Sequence, residues 1–158
     1  MLKKIDLSRQ GKFILTLLLI HFLFFGYICI TYAKSIGENI LFLHLIMFNP
    51  QSYLSLIFLI VIIVFQAFRE KFFEYGIKNS IWVIPFMIVM SWIWYWFING
   101  FNILLIFIYF IRYETYISIL TLLAINLSSA LLGSYLRIKY TQFIGRTKDI
   151  NNNLKKIT

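Results

Sequence analysis

The chain has 158 residues, of which 61% are hydrophobic, 20% aromatic and 13% charged. A water-covered domain carries roughly a quarter of its residues as charges, so a freely soluble fold is excluded and a lipid-covered one is expected. The net charge of +9 does not signal nucleic acid, because the basic residues flank apolar runs and are not interleaved with polar and stacking groups on one surface.

Four stretches carry no formal charge: Phe13 to Ala33, Asn39 to Phe68, Asn79 to Ile111 and Thr115 to Leu136. Each reaches the roughly 20 residues that a helix needs to cross a hydrocarbon core of about 30 Å. The expected fold class is therefore all-α, a polytopic bundle with four transmembrane helices at about Phe13 to Tyr32, Pro50 to Phe68, Ile81 to Ile98 and Tyr116 to Leu136. It divides into a basic N-terminus (1–12), the membrane domain (13–136) and a basic tail (137–158). The first run exceeds the about 7–15 residues of a secretory signal core and is expected to stay uncleaved.

Thirteen of the 15 Lys and Arg fall in three clusters: the N-terminus with Lys3, Lys4, Arg9 and Lys12, the middle with Arg69, Lys71 and Lys78, and the tail from Arg137 to Lys156. The excess of basic residues on the cytoplasmic side of membrane proteins puts all three inside the cell. The expectation is a multi-pass protein of the cell membrane with both termini cytoplasmic and the lipid bilayer as its first partner.

At the second span, Asn49 is placed to cap a helix and Pro50 suits its first position, where no backbone N–H is needed. The third span carries Trp92, Trp94, Tyr95 and Trp96 before Asn99-Gly100, with Trp82 near its other end. Indoles favour the headgroup zone, so these tryptophans are expected to be interface anchors. Two apolar segments, Ile40 to Phe48 and Ile103 to Ile111, are about 13 Å long as helices and cannot span. They are expected as short extracellular helices, interfacial or re-entrant. Asn39-Ile40-Leu41 and Tyr53-Leu54-Ser55 recur in similar form at Asn102-Ile103-Leu104 and Tyr116-Ile117-Ser118, an offset of 63 residues that hints at a duplicated hairpin.

No Asp, Glu, Lys or Arg lies inside a span, which removes the usual residues of proton-coupled transport. His21 is expected as a neutral imidazole bonded to a neighbouring helix, and His44 as a polar tip at the headgroups. Cys29 stands alone, so neither an intrachain disulfide nor a metal-ligand spacing exists. The carboxylates Asp6, Glu38, Glu70, Glu74, Glu114 and Asp149 lie at membrane edges or in tails, with Glu38 suited to pair with Lys34 and Glu114 close to Arg112. No nucleophile with a base is apparent, and neither an enzyme nor a bound cofactor is expected.

The fourth span gathers small and polar residues, Asn126, Ala130 and Ser134 on one stripe with Ser129 and Gly133 beside it. Such a face brings backbones close and offers hydrogen bonds to a partner helix, in this chain or in another membrane subunit. The stretch from Arg69 to Ser80 alternates charges with Phe72, Phe73 and Tyr75, as a short amphipathic helix at the inner interface would. Within it, Glu74-Tyr75-Gly76-Ile77-Lys78-Asn79 resembles the coupling segment of type-2 ABC exporter permeases, in which an acidic residue, a Gly and a Lys open the helix that meets the ATPase.

That resemblance implies a reduced membrane subunit of an exporter of peptides or other amphipathic compounds. It would meet a separate ATPase through Arg69, Glu70, Lys71, Glu74, Gly76 and Lys78. The alternative is an immunity or accessory protein that does not transport, and that binds a membrane-active peptide or a partner membrane protein.

Overall fold

A hydrocarbon layer offers no water to satisfy backbone N–H and C=O groups, so long apolar runs must pair them internally. The computed structural model describes residues 7–31, 37–70 and 72–157; it is 92% helical, and no strand occurs among the described residues. The elements are α1 (Leu7–Leu19), a π-helical turn (Ile20–Phe25), α2 (Gly26–Thr31), a 3-10 turn (Gly37–Ile40) and α3 (Leu43–Met47). A second 3-10 turn (Pro50–Ser52), α4 (Tyr53–Arg69), α5 (Phe73–Asn99), α6 (Leu104–Ile111) and α7 (Tyr113–Ile157) complete the chain. Among the described residues, four helical stretches are long and apolar enough to cross a membrane: Gln10–Thr31, Pro50–Arg69, Phe73–Asn99 and Tyr113–Thr147. The chain is an all-α polytopic bundle, the architecture that the charge-free runs imply.

The π-helical turn inserts an extra residue per turn in the first span, closed by the Gly26 N–H on the His21 carbonyl. The wider turn lets Ile20, Phe24, Phe25 and Ile28 all face inward with no exposed surface. They meet Leu59 and Ile63 of α4, Val83 and Met87 of α5 and Leu122 of α7, which are equally buried and fill the middle of the bundle. The broadest contact in the molecule is between α4 and α7.

Two boundaries differ from the sequence reading. The stretch from Arg69 to Ser80 holds no separate short helix, because α4 ends at Arg69, Glu70 and Phe72 have extended backbone, and α5 already starts at Phe73. The reason is local: Phe73, Gly76, Ile77 and Ser80 recur at helical spacing, and Glu74 sits in the first turn, where a negative charge complements the helix dipole. The fourth span also runs on, since α7 is one helix of 45 residues, about 67 Å long, more than twice a hydrocarbon core.

The Asn49 cap is present, its side chain accepting from the Gln51 N–H at 3.1 Å with Pro50 at the helix start. The two short apolar segments differ from each other. The first is wedged into the bundle, with Ile40, Leu41, Phe42, Leu43, Ile46 and Met47 all buried. The second, α6, buries Leu105 and Tyr109 and leaves Leu104, Phe107 and Ile111 exposed. Asn102 caps α6 by accepting from the Leu104 N–H at 3.0 Å, whereas Asn39 lies inside a 3-10 turn, so the matched residues of the 63-residue offset do different work.

Candidate functional site

At the basic end of the bundle, α4, α5 and α7 meet almost backbone to backbone. A Cβ on Gly133 would press into the Val64 carbonyl and stand 3.0 Å from the Ala67 Cβ, while one on Gly76 would lie 3.0 Å from Ser134 Oγ and 3.3 Å from the Ala67 Cβ. Two glycines and an alanine on three different helices thus let the three backbones approach closely. One turn deeper, Asn126 Nδ2 donates to the Ser80 carbonyl at 3.2 Å, and the Ser80 hydroxyl donates to the Ile77 carbonyl at 2.7 Å. Asn126, Ser129, Ala130, Gly133 and Ser134 are all buried, and the partners of this face are α4 and α5 of the same chain.

The six residues singled out for docking separate into two groups. Glu74 and Lys78 are exposed on the first turns of α5. Glu70 and Gly76 are internal: Glu70 is 5% exposed and accepts from Asn79 Nδ2 at 3.2 Å, and Gly76 belongs to the three-helix junction. Arg69 lays its guanidinium over the Phe65 ring at 5.2 Å, and Lys71 lies outside the described residues. The expected short amphipathic helix is thus the first turns of α5 itself, with an internal face at Gly76 and Ser80 and an exposed one at Glu74 and Lys78.

Beside the junction lies a cavity of about 290 Å³ lined by Glu70, Phe73, Ser134, Arg137, Thr141 and Gln142, with Ala67 and Ile138. The Ser134 hydroxyl is buried and has no protein partner. Arg137 donates from Nη1 to the Phe68 carbonyl at 2.8 Å, one of the carbonyls that the end of α4 leaves free. Arg137 and Thr141 also line an adjoining cavity of about 180 Å³ with Phe68, Tyr140 and Ile144. Past these cavities α7 continues with Tyr140 and Phe143 on its surface, 55% and 69% exposed.

The opposite end is latched. Arg112 Nη1 donates to Glu38 Oε2 at 2.8 Å, so Glu38 is paired here across 74 residues, while Lys34 lies outside the described residues. Phe42 stacks on Tyr109 with centroids 5.8 Å apart and planes 8° apart, and Arg112 lies over Phe42. The Thr115 hydroxyl donates to the Tyr109 carbonyl. His44 Nδ1 and Ser118 Oγ are 2.7 Å apart, so His44 is held by the fourth span and is not a free tip. Burial lowers the His44 pKa below 6.5, with the Glu114 charge opposing, and burial raises the Tyr109 phenol to about 12.

Of the four tryptophans, Trp82 is exposed and Trp96 donates to the Asn102 carbonyl at 3.0 Å. Trp92 and Trp94 instead turn their indole N–H groups into the protein without a partner. Trp92 packs edge-on against Tyr109, and Trp94 meets the His21 ring at 5.3 Å, which is how His21 contacts a neighbouring helix.

Sequence reasoning missed Gln66, buried in α4 with both amide atoms unpartnered beside a void of about 10 Å³ next to Thr16. Its signal was an amide in an otherwise apolar run. It also missed the burial of Glu70, for which the sequence carries no local sign. Among the described residues no three of His, Cys, Asp and Glu gather closely enough to hold a metal ion. No family model, curated protein or solved structure matches the chain.

Proposed function

We propose that this chain is a membrane subunit of an exporter-type assembly in the cell membrane, with both termini cytoplasmic, that binds a separate ATPase at its basic end and performs no chemistry of its own. The observation that carries this reading is the surface formed there. The exposed Glu74 and Lys78 stand on the first turns of α5, and Tyr140 and Phe143 are exposed on the part of α7 that outruns a bilayer. Aromatic groups rimmed by charges, past the apolar run of a helix, suit a protein contact better than lipid or bulk water. Glu74 and Lys78 are also the charged residues of the permease-like segment, and both face outward. The middle of the bundle is filled by apolar side chains, which favours a subunit that works alongside another membrane protein.

The test is recovery of the native complex in mild detergent from cells carrying wild type, Glu74→Ala, Lys78→Ala or Phe143→Ala. An ATPase should accompany the wild type and be reduced in the variants at unchanged expression. Unchanged recovery in all three would refute the assignment of this surface.

A second reading is supported by α6, whose Leu104, Phe107 and Ile111 are exposed next to Phe101. An accessory or immunity protein would bind a membrane-active peptide on that apolar outer rim. Protection of producer cells that is lost in Phe107→Ser but not in Phe143→Ala would select it.

A further inference from the structure

We propose that the cavity between Glu70, Ser134 and Arg137 binds the headgroup of a phosphatidylethanolamine lipid, its ammonium on Glu70 and Ser134 and its phosphate on Arg137. The site belongs to no part of the docking surface and stands without it.

Its position fits a headgroup. The cavity lies where α4 ends at Arg69, and where the apolar part of α7 gives way to Arg137 and Lys139. Its volume of about 290 Å³ is near the lower end of small-molecule pockets, roughly 300–1,000 Å³. The exposed Phe73 and Ile138 at its margin, 46% and 47% accessible, offer apolar surface on which acyl chains can lie.

The chemistry selects the headgroup. Glu70 is 95% buried by its 5% exposure and receives one hydrogen bond from Asn79, although a carboxylate can accept several. The Ser134 hydroxyl, 3% exposed, lines the same cavity with no protein partner. A buried polar group of this kind is costly unless something pairs with it. A primary ammonium brings three donors, enough for the carboxylate and the hydroxyl together.

Arg137 supplies the other half. Its Nη1 is held by the Phe68 carbonyl, which fixes the guanidinium at the cavity wall, and the planar fork matches phosphate oxygens. Among the described residues the one ion pair is Glu38 with Arg112, so Glu70 and Arg137 line the cavity as separate charges. An anionic headgroup would leave Glu70 unpaired and add repulsion, while a choline headgroup has no N–H to give. A zwitterion with a primary amine meets both charges.

The experiment is native mass spectrometry of the full-length protein released from detergent with phosphatidylethanolamine, phosphatidylcholine and phosphatidylglycerol of identical acyl chains. A parallel arm adds soluble glycerophosphoethanolamine. Phosphatidylethanolamine should bind about tenfold more tightly than either competitor. Glu70→Gln, which retains an oxygen for Asn79, should bring the three lipids within about twofold. Ser134→Ala should weaken the preference while leaving thermal stability without lipid unchanged or higher, because it removes an unpartnered hydroxyl.

Equal binding of all three lipids to the wild type, or a preference for the glycerol headgroup, would overturn the proposal. So would a preference that survives Glu70→Gln. Soluble glycerophosphoethanolamine binding as tightly as the lipid would overturn the lipid assignment and leave a phosphoamine metabolite. Loss of a protein partner on Glu70→Gln, with no lipid preference, would show that a basic side chain of that partner fills the cavity instead.

Discussion

Gly133→Ala is the sharpest perturbation of the bundle. Alanine favours a helix over glycine by about 1 kcal/mol, so in an exposed helix the change is stabilising. At Gly133 the added methyl would collide with the Val64 carbonyl, a backbone atom that no rotamer can move, and stand 3.0 Å from the Ala67 Cβ. Relief requires α7 to shift away from α4 along the broadest contact of the fold. Overpacking of this kind costs about 1–3 kcal/mol, which outweighs the propensity gain. Gly145→Ala is the matched control, since nothing stands within 4 Å of a Cβ there and the same substitution should be neutral or stabilising. Thermal unfolding of both variants in one detergent measures the difference directly. Equal midpoints, or a more stable Gly133→Ala, would refute the close approach of α4 and α7.

Other substitutions read other parts of the molecule. Gln66→Leu removes an amide whose two polar atoms are buried without partners, so stability should stay level or rise; a large loss would mean that the amide is bonded. Glu38→Gln breaks an ion pair whose partners are 41% and 58% exposed, and should cost less than about 1 kcal/mol, whereas Tyr109→Ala empties a fully packed aromatic site and should cost several times more. Because His44 is held below its ordinary pKa of 6.5 in the folded protein, the unfolded chain takes up its proton first as pH falls. Its stabilising contribution is thus complete above pH 6.5 and is lost as pH drops through the folded value, and thermal midpoints at pH 7.5 and 5.5 should converge on His44→Gln at the lower pH.

The spans were legible because charge-free length is a strong physical signal, and the face of Asn126, Ser129, Ala130, Gly133 and Ser134 was legible because small residues at helical spacing have few other uses in lipid. Its partner was not legible, since a face of this kind fits any helix; the Gly133 contact with Val64 and Ala67 shows it to be the same chain. Arg69 to Ser80 was legible as helical but not as the start of the third span, because its charges end the apolar run that marks a span, while the helical spacing of Phe73, Gly76 and Ser80 continues through them. The continuation of α7 was hidden by its polar composition, which breaks the apolar run without breaking the helix. The cavity of Glu70, Ser134 and Arg137 joins residues from distant parts of the chain, and one sequence holds no record of such a meeting.

Everything proposed for the basic end rests on four crossings with that end inside the cell. Single cysteines at Phe101 and Gly145 in a Cys29→Ala background, labelled in intact cells with a reagent that does not cross membranes, test this most directly. The account predicts labelling at position 101 from outside and at position 145 only after permeabilisation. Labelling of both from one side, or of position 145 in intact cells, would contradict it.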